Sequence, residues 1–135
     1  MKNVKGIITS VSLISQFQYE NDIWKRVLGF LTEENIFLKN RLSEVLRSID
    51  DSDNSFLERI EYFQNGFLEK DKIISDLRTA LMEHNKLLIR DMYEDGELLK
   101  EVKWNQKKFR KDIETAEQEC NKLKFEFNNY LGQIL

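Results

Sequence analysis

Apolar residues recur along this chain in alternating steps of three and four, and no proline interrupts them anywhere in its 135 residues. Proline removes a helical hydrogen bond and clashes with the preceding turn, so its absence leaves the whole chain open to long helices. Steps of three and four put side chains on one helical face. Ile14, Phe17, Asn21, Trp24, Leu28, Leu31, Asn35, Leu38, Leu42, Val45 and Ile49 make one such seam. Phe56, Ile60, Phe63, Phe67, Lys70, Ile74, Leu77, Leu81, His84 and Leu88 make a second. The third runs Leu99, Val102, Gln106, Phe109, Ile113, Ala116, Cys120, Leu123, Phe127, Tyr130, Ile134.

Asn65-Gly66 is a hairpin signal lying inside the second seam. A hairpin needs flanking alternation of period two and would reset the helical phase. The phase is the same on both sides of Gly66, so the spacing predicts a helix running through it, at a cost of about 1 kcal/mol relative to alanine. Genuine breaks fall at "IDDSDNS" (49–55) and "DMYEDGE" (91–97), rich in residues that favour turns and caps. Ser55 and Glu58 have the spacing of a capping box for the second helix.

Three helices follow, at about 14–49, 55–91 and 97–132, each roughly 54 Å long at 1.5 Å per residue. Short connections make neighbours antiparallel, so the expected fold is all-α: an elongated antiparallel three-helix bundle with coiled-coil, heptad packing over residues 14–135. Residues 1–13 are expected as a separate N-terminal segment, flexible or folded back. Folding about the two breaks brings Trp24 opposite Leu81, Leu31 opposite Ile74 and Leu38 opposite Phe67. The polar seam residues then gather at two levels: Asn21 with His84 and Gln106, and Asn35 with Lys70 and Cys120. Buried polar levels lower stability while excluding slipped alignments, and register is the role expected of them.

Two groups of residues are left over by such a core. Ile23, Val27, Phe30 and Phe37 form a second stripe on helix one, pointing away from the seam. Large apolar groups on an exposed face mark a contact. Either Ile7, Ile8, Val11 and Leu13 fold back over the stripe, or it meets a second copy or another protein. The second group is the basic run Lys100, Lys103, Lys107, Lys108, Arg110 and Lys111 around Trp104. Cations beside an aromatic ring suit phosphate backbones or anionic membrane surfaces, although such runs are more often solvated helix faces.

Chemistry is sparse by comparison. One histidine gives no paired-histidine metal site, and no Glu-x-x-His pair occurs. A single cysteine excludes an internal disulfide and suits a reducing compartment. Cys120 sits on a seam, where it behaves as a small hydrophobe. No glycine-rich phosphate loop or nucleophile-elbow motif is present. The start, "MKNVKGIITSVSLISQF", lacks a cleavage site, and no stretch approaches the ~20 apolar residues of a membrane span. The net charge of −3 is too small to imply a strongly charged partner. The expectation is a cytoplasmic structural or protein-interaction module, a homodimer or a dock for another protein, without cofactor or catalysis. An anion-binding module is the alternative.

The segments "WKRVLGFLTEENIFLKNRLSEVL", "IEYFQNGFLEKDKIISDL" and "NKLKFEFNNYL" resemble a group of small, uncharacterised bacterial coiled-coil proteins. Trp24, Phe30, Glu34, Leu42, Phe63-Gln64-Asn65, Phe67, Leu123 and Phe127 carry the resemblance, which spans most of residues 24–131. It implies long helices and brings no activity or site residues with it.

Overall fold

The computed structural model describes residues 4–49, 53–88 and 95–135, with side-chain surroundings from Val11 onward. Residues 50–52 and 91–94 of the two predicted breaks, together with the side chains of Ile7 and Ile8, lie outside the described residues. Three helices make up the fold: α1 (Val4–Ser48), α2 (Asn54–Asn85) and α3 (Gly96–Ile134). Each packs on both of the others. No described helix is long and apolar enough to cross a membrane.

The helix through Asn65-Gly66 is continuous, and no glycine among the described residues has a positive φ. Gly66 serves packing instead. A Cβ placed there would meet the Leu123 methyls at 3.0 and 3.1 Å, so the missing side chain lets α3 approach α2 closely. That close approach explains a glycine inside a helix that gains nothing from its flexibility.

The helices are unequal, contrary to the expected rods of one length. α1 has 45 residues, α2 has 32 and α3 has 39. At 1.5 Å per residue these are about 68, 48 and 58 Å. α1 begins at Val4, so residues 4–13 are its opening turns and neither a separate segment nor a strap over the stripe. Helix propagation costs little once a packed turn exists. Leu13, Ile14 and Phe17 supply that turn, sharing a cluster with Val102, Leu98 and Leu99 of α3. α2 ends at Asn85 and not near 91. Lys86, Leu87 and Leu88 instead make tightened hydrogen bonds to carbonyls three residues back.

Caps come from residues other than the Ser55–Glu58 box. The Asp53 carboxylate accepts from Ser55 N–H at 2.8 Å, which moves the cap two residues upstream. Asp95 accepts from Glu97 and Leu98 N–H, both at 3.1 Å. Aspartate satisfies orphan amides and places negative charge at the positive end of the helix dipole, which explains its advantage over serine.

The core divides into three apolar clusters. The largest joins Leu38, Leu42 and Val45 of α1 to Phe56, Ile60, Phe63 and Phe67 of α2 and to Leu123, Phe127 and Leu131 of α3. Phe127 stands edge-on to Phe63 and Phe67, with centroids 5.1 and 5.2 Å away, a favourable quadrupole arrangement. A middle cluster holds Trp24, Leu28, Leu31, Ile74, Leu81, Phe109 and Ile113. The third surrounds Phe17 and Val102. As the partner on α1 advances from Asn21 to Lys39, the partner on α2 retreats from Asn85 to Asp71. From Glu20 to Glu34 on α1, the partner on α3 advances from Arg110 to Lys124.

Candidate functional site

The boundary between the middle cluster and the Phe17 cluster is a buried polar network. Gln106 donates from Nε2 to Asn21 Oδ1 at 2.9 Å and to Glu20 Oε1 at 3.2 Å, and reaches the Phe17 carbonyl at 3.4 Å. With acceptors on that side, the amide oxygen faces His84, whose Nε2 lies 2.8 Å away. Asn21 passes the chain on to Asn85 Oδ1 at 2.7 Å. The predicted residues Asn21, His84 and Gln106 thus meet. Glu20 and Asn85 join them from flanking positions that the seam alone does not mark. Gln106 can only accept through Oε1, so His84 Nε2 carries a proton, and in the neutral ring Nδ1 holds a lone pair. Nδ1 is buried and has no partner.

At the second level the predicted partners differ. Asn35 donates to the Phe67 carbonyl at 2.9 Å and to Asp71 Oδ1, and Asp71 also pairs with Lys39 at 2.6 Å. Lys70 turns instead toward α3, where Glu119 Oε2 is 3.9 Å away, with Glu69 at 3.8 Å. One residue along a helix is a rotation of 100°, enough to send Asp71 to one neighbour and Lys70 to the other. Cys120 lies close enough to Lys70 for the ammonium to favour its thiolate, but burial is the larger influence and pushes the thiol up.

The expected stripe on α1 separates into two parts. Ile23 and Val27 are half-buried against the middle cluster, beside the Glu20–Arg110 and Glu34–Lys124 pairs to α3. The third helix covers them, which corrects the reading of four exposed residues. Phe30 and Phe37 remain in solvent, 58% and 67% exposed. They are one heptad apart and so share a face. Tyr19 is also exposed on α1, eleven residues before Phe30 and thus roughly in line with it.

Trp104 is 63% exposed, and Lys108 Nζ sits 5.7 Å from its ring centroid. Lys100 pairs with Glu97 at 3.6 Å, whereas Lys103, Lys107 and Lys111 project into solvent and make no ion pair among the described residues. One flank of Trp104 borders an open groove of about 580 Å³ between α2 and α3. Leu77, Ala80, Leu87, Phe109 and His84 line it, and Asp76, Glu83 and Asp112 bring carboxylates to its edge. Lys108 lines the groove as well, so the acids beside the tryptophan share that flank with one lysine.

Among the described residues, no group of three or more His, Cys, Asp or Glu side chains is placed to hold a metal ion. Compared with protein-family models, curated proteins and solved structures, the chain shows no significant match.

Proposed function

We propose that the chain is an antiparallel, heptad-packed three-helix rod that acts as a cytoplasmic protein-interaction module, pairing with a second copy of itself through the outward face of α1. The observation that carries this reading is the exposure of Phe30 and Phe37 on one face of the longest helix. Each ring holds apolar area out of any core, and burying such a side chain is worth about 1.5–3 kcal/mol. Opposed travel of the α1 and α2 partners, and parallel travel of the α1 and α3 partners, support the up-down-up order. We assign the module no catalytic chemistry and no cofactor.

Light scattering behind a sizing column tests the pairing. A dimer mass is expected for the unaltered chain, and a monomer mass for Phe30→Glu/Phe37→Glu with an unchanged unfolding midpoint. A strictly monomeric chain at high concentration removes self-association. Capture of a different protein, lost in the same double variant, would move the role of this face to a heterologous partner.

The anion-binding alternative draws on exposed Trp104 with Lys103, Lys107 and Lys111 free in solvent. Salt-dependent binding of a labelled oligonucleotide or of anionic vesicles is its signature. Asp76, Glu83 and Asp112 beside the same indole oppose it, since a phosphate there meets like charge.

A further inference from the structure

The groove beside Trp104 has a volume of about 580 Å³, and its composition is uneven in a way the helix packing does not require. Its floor is apolar: Leu77 and Ala80 from α2, Phe109 from α3. Its size falls within the range of small-molecule sites. Trp104 forms a wall, with most of its indole in solvent.

Charge at the groove is acidic and only partly compensated. Glu83 is paired with Lys86 at 3.0 Å. Lys108 is held over the Trp104 ring. Asp76 of α2 and Asp112 of α3 line both this groove and the shallower one adjoining it, and neither makes an ion pair among the described residues. Asp76 and Asp112 outnumber Lys108, the one lysine lining the groove, and the remaining negative charge favours a cation there. Without a third ligand nearby the pair lacks the donor set of a metal site, and the apolar floor favours an organic cation.

A second observation comes from the other end of the groove. His84 is 3% exposed, and its Nδ1 lone pair is without a partner. Buried acceptors are nearly always satisfied, and an orphan in a cavity-lining residue points to a missing donor. Nε2 is committed to Gln106, so Nδ1 is the atom left over for the groove. Its accessible area is close to zero, so a ligand donor requires the groove wall to open before it reaches Nδ1. Trp104, mostly in solvent, lines that wall.

We infer that this α2–α3 groove binds a small aromatic amine, with its ammonium between Asp76 and Asp112, its ring on the Leu77–Phe109 floor against Trp104, and a hydrogen-bond donor at its far end on His84 Nδ1. The two ends lie about 12 Å apart along α2, at eight residues of 1.5 Å each. A ring with a short alkyl arm bridges that span when side chains lean in from both ends. The aromatic wall adds cation–π and stacking attraction that an aliphatic amine would forgo. The site lies away from the outward face of α1 and is independent of pairing there.

Calorimetric titration of the full chain with tyramine tests the proposal, because tyramine carries a phenol donor and an ammonium at opposite ends. Saturable binding is expected. Tyrosol, its neutral counterpart, and 3-(4-hydroxyphenyl)propionate, its anionic one, should bind at least about tenfold more weakly, since a charge-assisted hydrogen bond is lost. Phenethylamine, which lacks the donor, should also bind more weakly and leave the His84 Nδ1 nitrogen resonance unmoved, where tyramine shifts it. Asp76→Asn/Asp112→Asn should weaken tyramine by about tenfold or more. Asp76 is exposed, so Asp76→Asn alone gives the same reading if the double variant fails to fold. Equal binding of tyramine and tyrosol, unaltered affinity in the aspartate variants, or no saturable binding up to about 10 mM would overturn the inference.

Discussion

Gln106 Oε1 and His84 Nε2 stand 2.8 Å apart across the α2–α3 interface, and this contact fixes the histidine tautomer. The amide cannot turn over, because its nitrogen already serves Asn21 and Glu20. Gln106 is therefore the hub of its level.

Gln106→Leu should destabilise the chain by about 1–3 kcal/mol, because it strands Asn21 Oδ1 and a buried imidazole N–H. Asn35→Leu should do the opposite. Asn35 serves a helical carbonyl and a carboxylate that Lys39 already pairs, so its removal orphans no buried group. Replacing such a residue with an apolar one is commonly neutral or stabilising. Urea unfolding of both variants checks the contrast.

Two glycines separate helix propensity from packing. A Cβ at Gly29 meets nothing within 4 Å, so Gly29→Ala should stabilise by about 0.5–1 kcal/mol. At Gly66 the same methyl presses on Leu123, which is buried among the phenylalanines. Overpacking costs about 1–3 kcal/mol, so Gly66→Ala should lower the melting temperature despite its propensity gain. Adding Leu123→Val should recover part of the loss. A Gly66→Ala midpoint above that of the parent would show that Leu123 moves aside freely.

Neighbouring aromatics should behave differently. Phe127→Ala removes a fully buried ring from between Phe63 and Phe67, at a cost of about 3–5 kcal/mol. Phe125, 67% exposed, should change stability by no more than about 0.5 kcal/mol when replaced by alanine. Chemical denaturation of the two variants in parallel gives the comparison.

Alkaline pH should weaken the fold in part through Cys120. Burial raises its thiol above the ordinary value of 9.0, with Lys70 pulling the other way. The folded chain then holds the thiol proton more tightly than the unfolded chain does. Its contribution is fully present below about pH 9 and is lost as pH rises through the folded value. Tyr62 acts with the same sign at higher pH, because its hydroxyl donates to Glu126 at 2.7 Å and is raised by that bond. Between pH 8 and 10 the parent should lose stability faster than Cys120→Ala, as measured by urea midpoints. Lys70→Met should slow Cys120 alkylation at pH 8, and faster alkylation would contradict the placement.

The spacing of apolar residues, with no proline to stop it, determined the three helices and the continuity of α2 through Gly66. Both follow from local backbone chemistry and one-dimensional period. The meeting of Asn21, His84 and Gln106 was also legible, because seam residues keep step once the breaks are known. Tertiary structure alone decided that Asp71 serves Asn35 while Lys70 turns to Glu119, since flanking positions choose between two neighbours by rotation about the helix axis. It alone covered Ile23 and Val27 and left Phe30 and Phe37 bare, because exposure depends on where the third helix lies. The facing of Asp76 and Asp112 across the groove has the same origin. Residues far apart in sequence become one site only when register and rotation are both set.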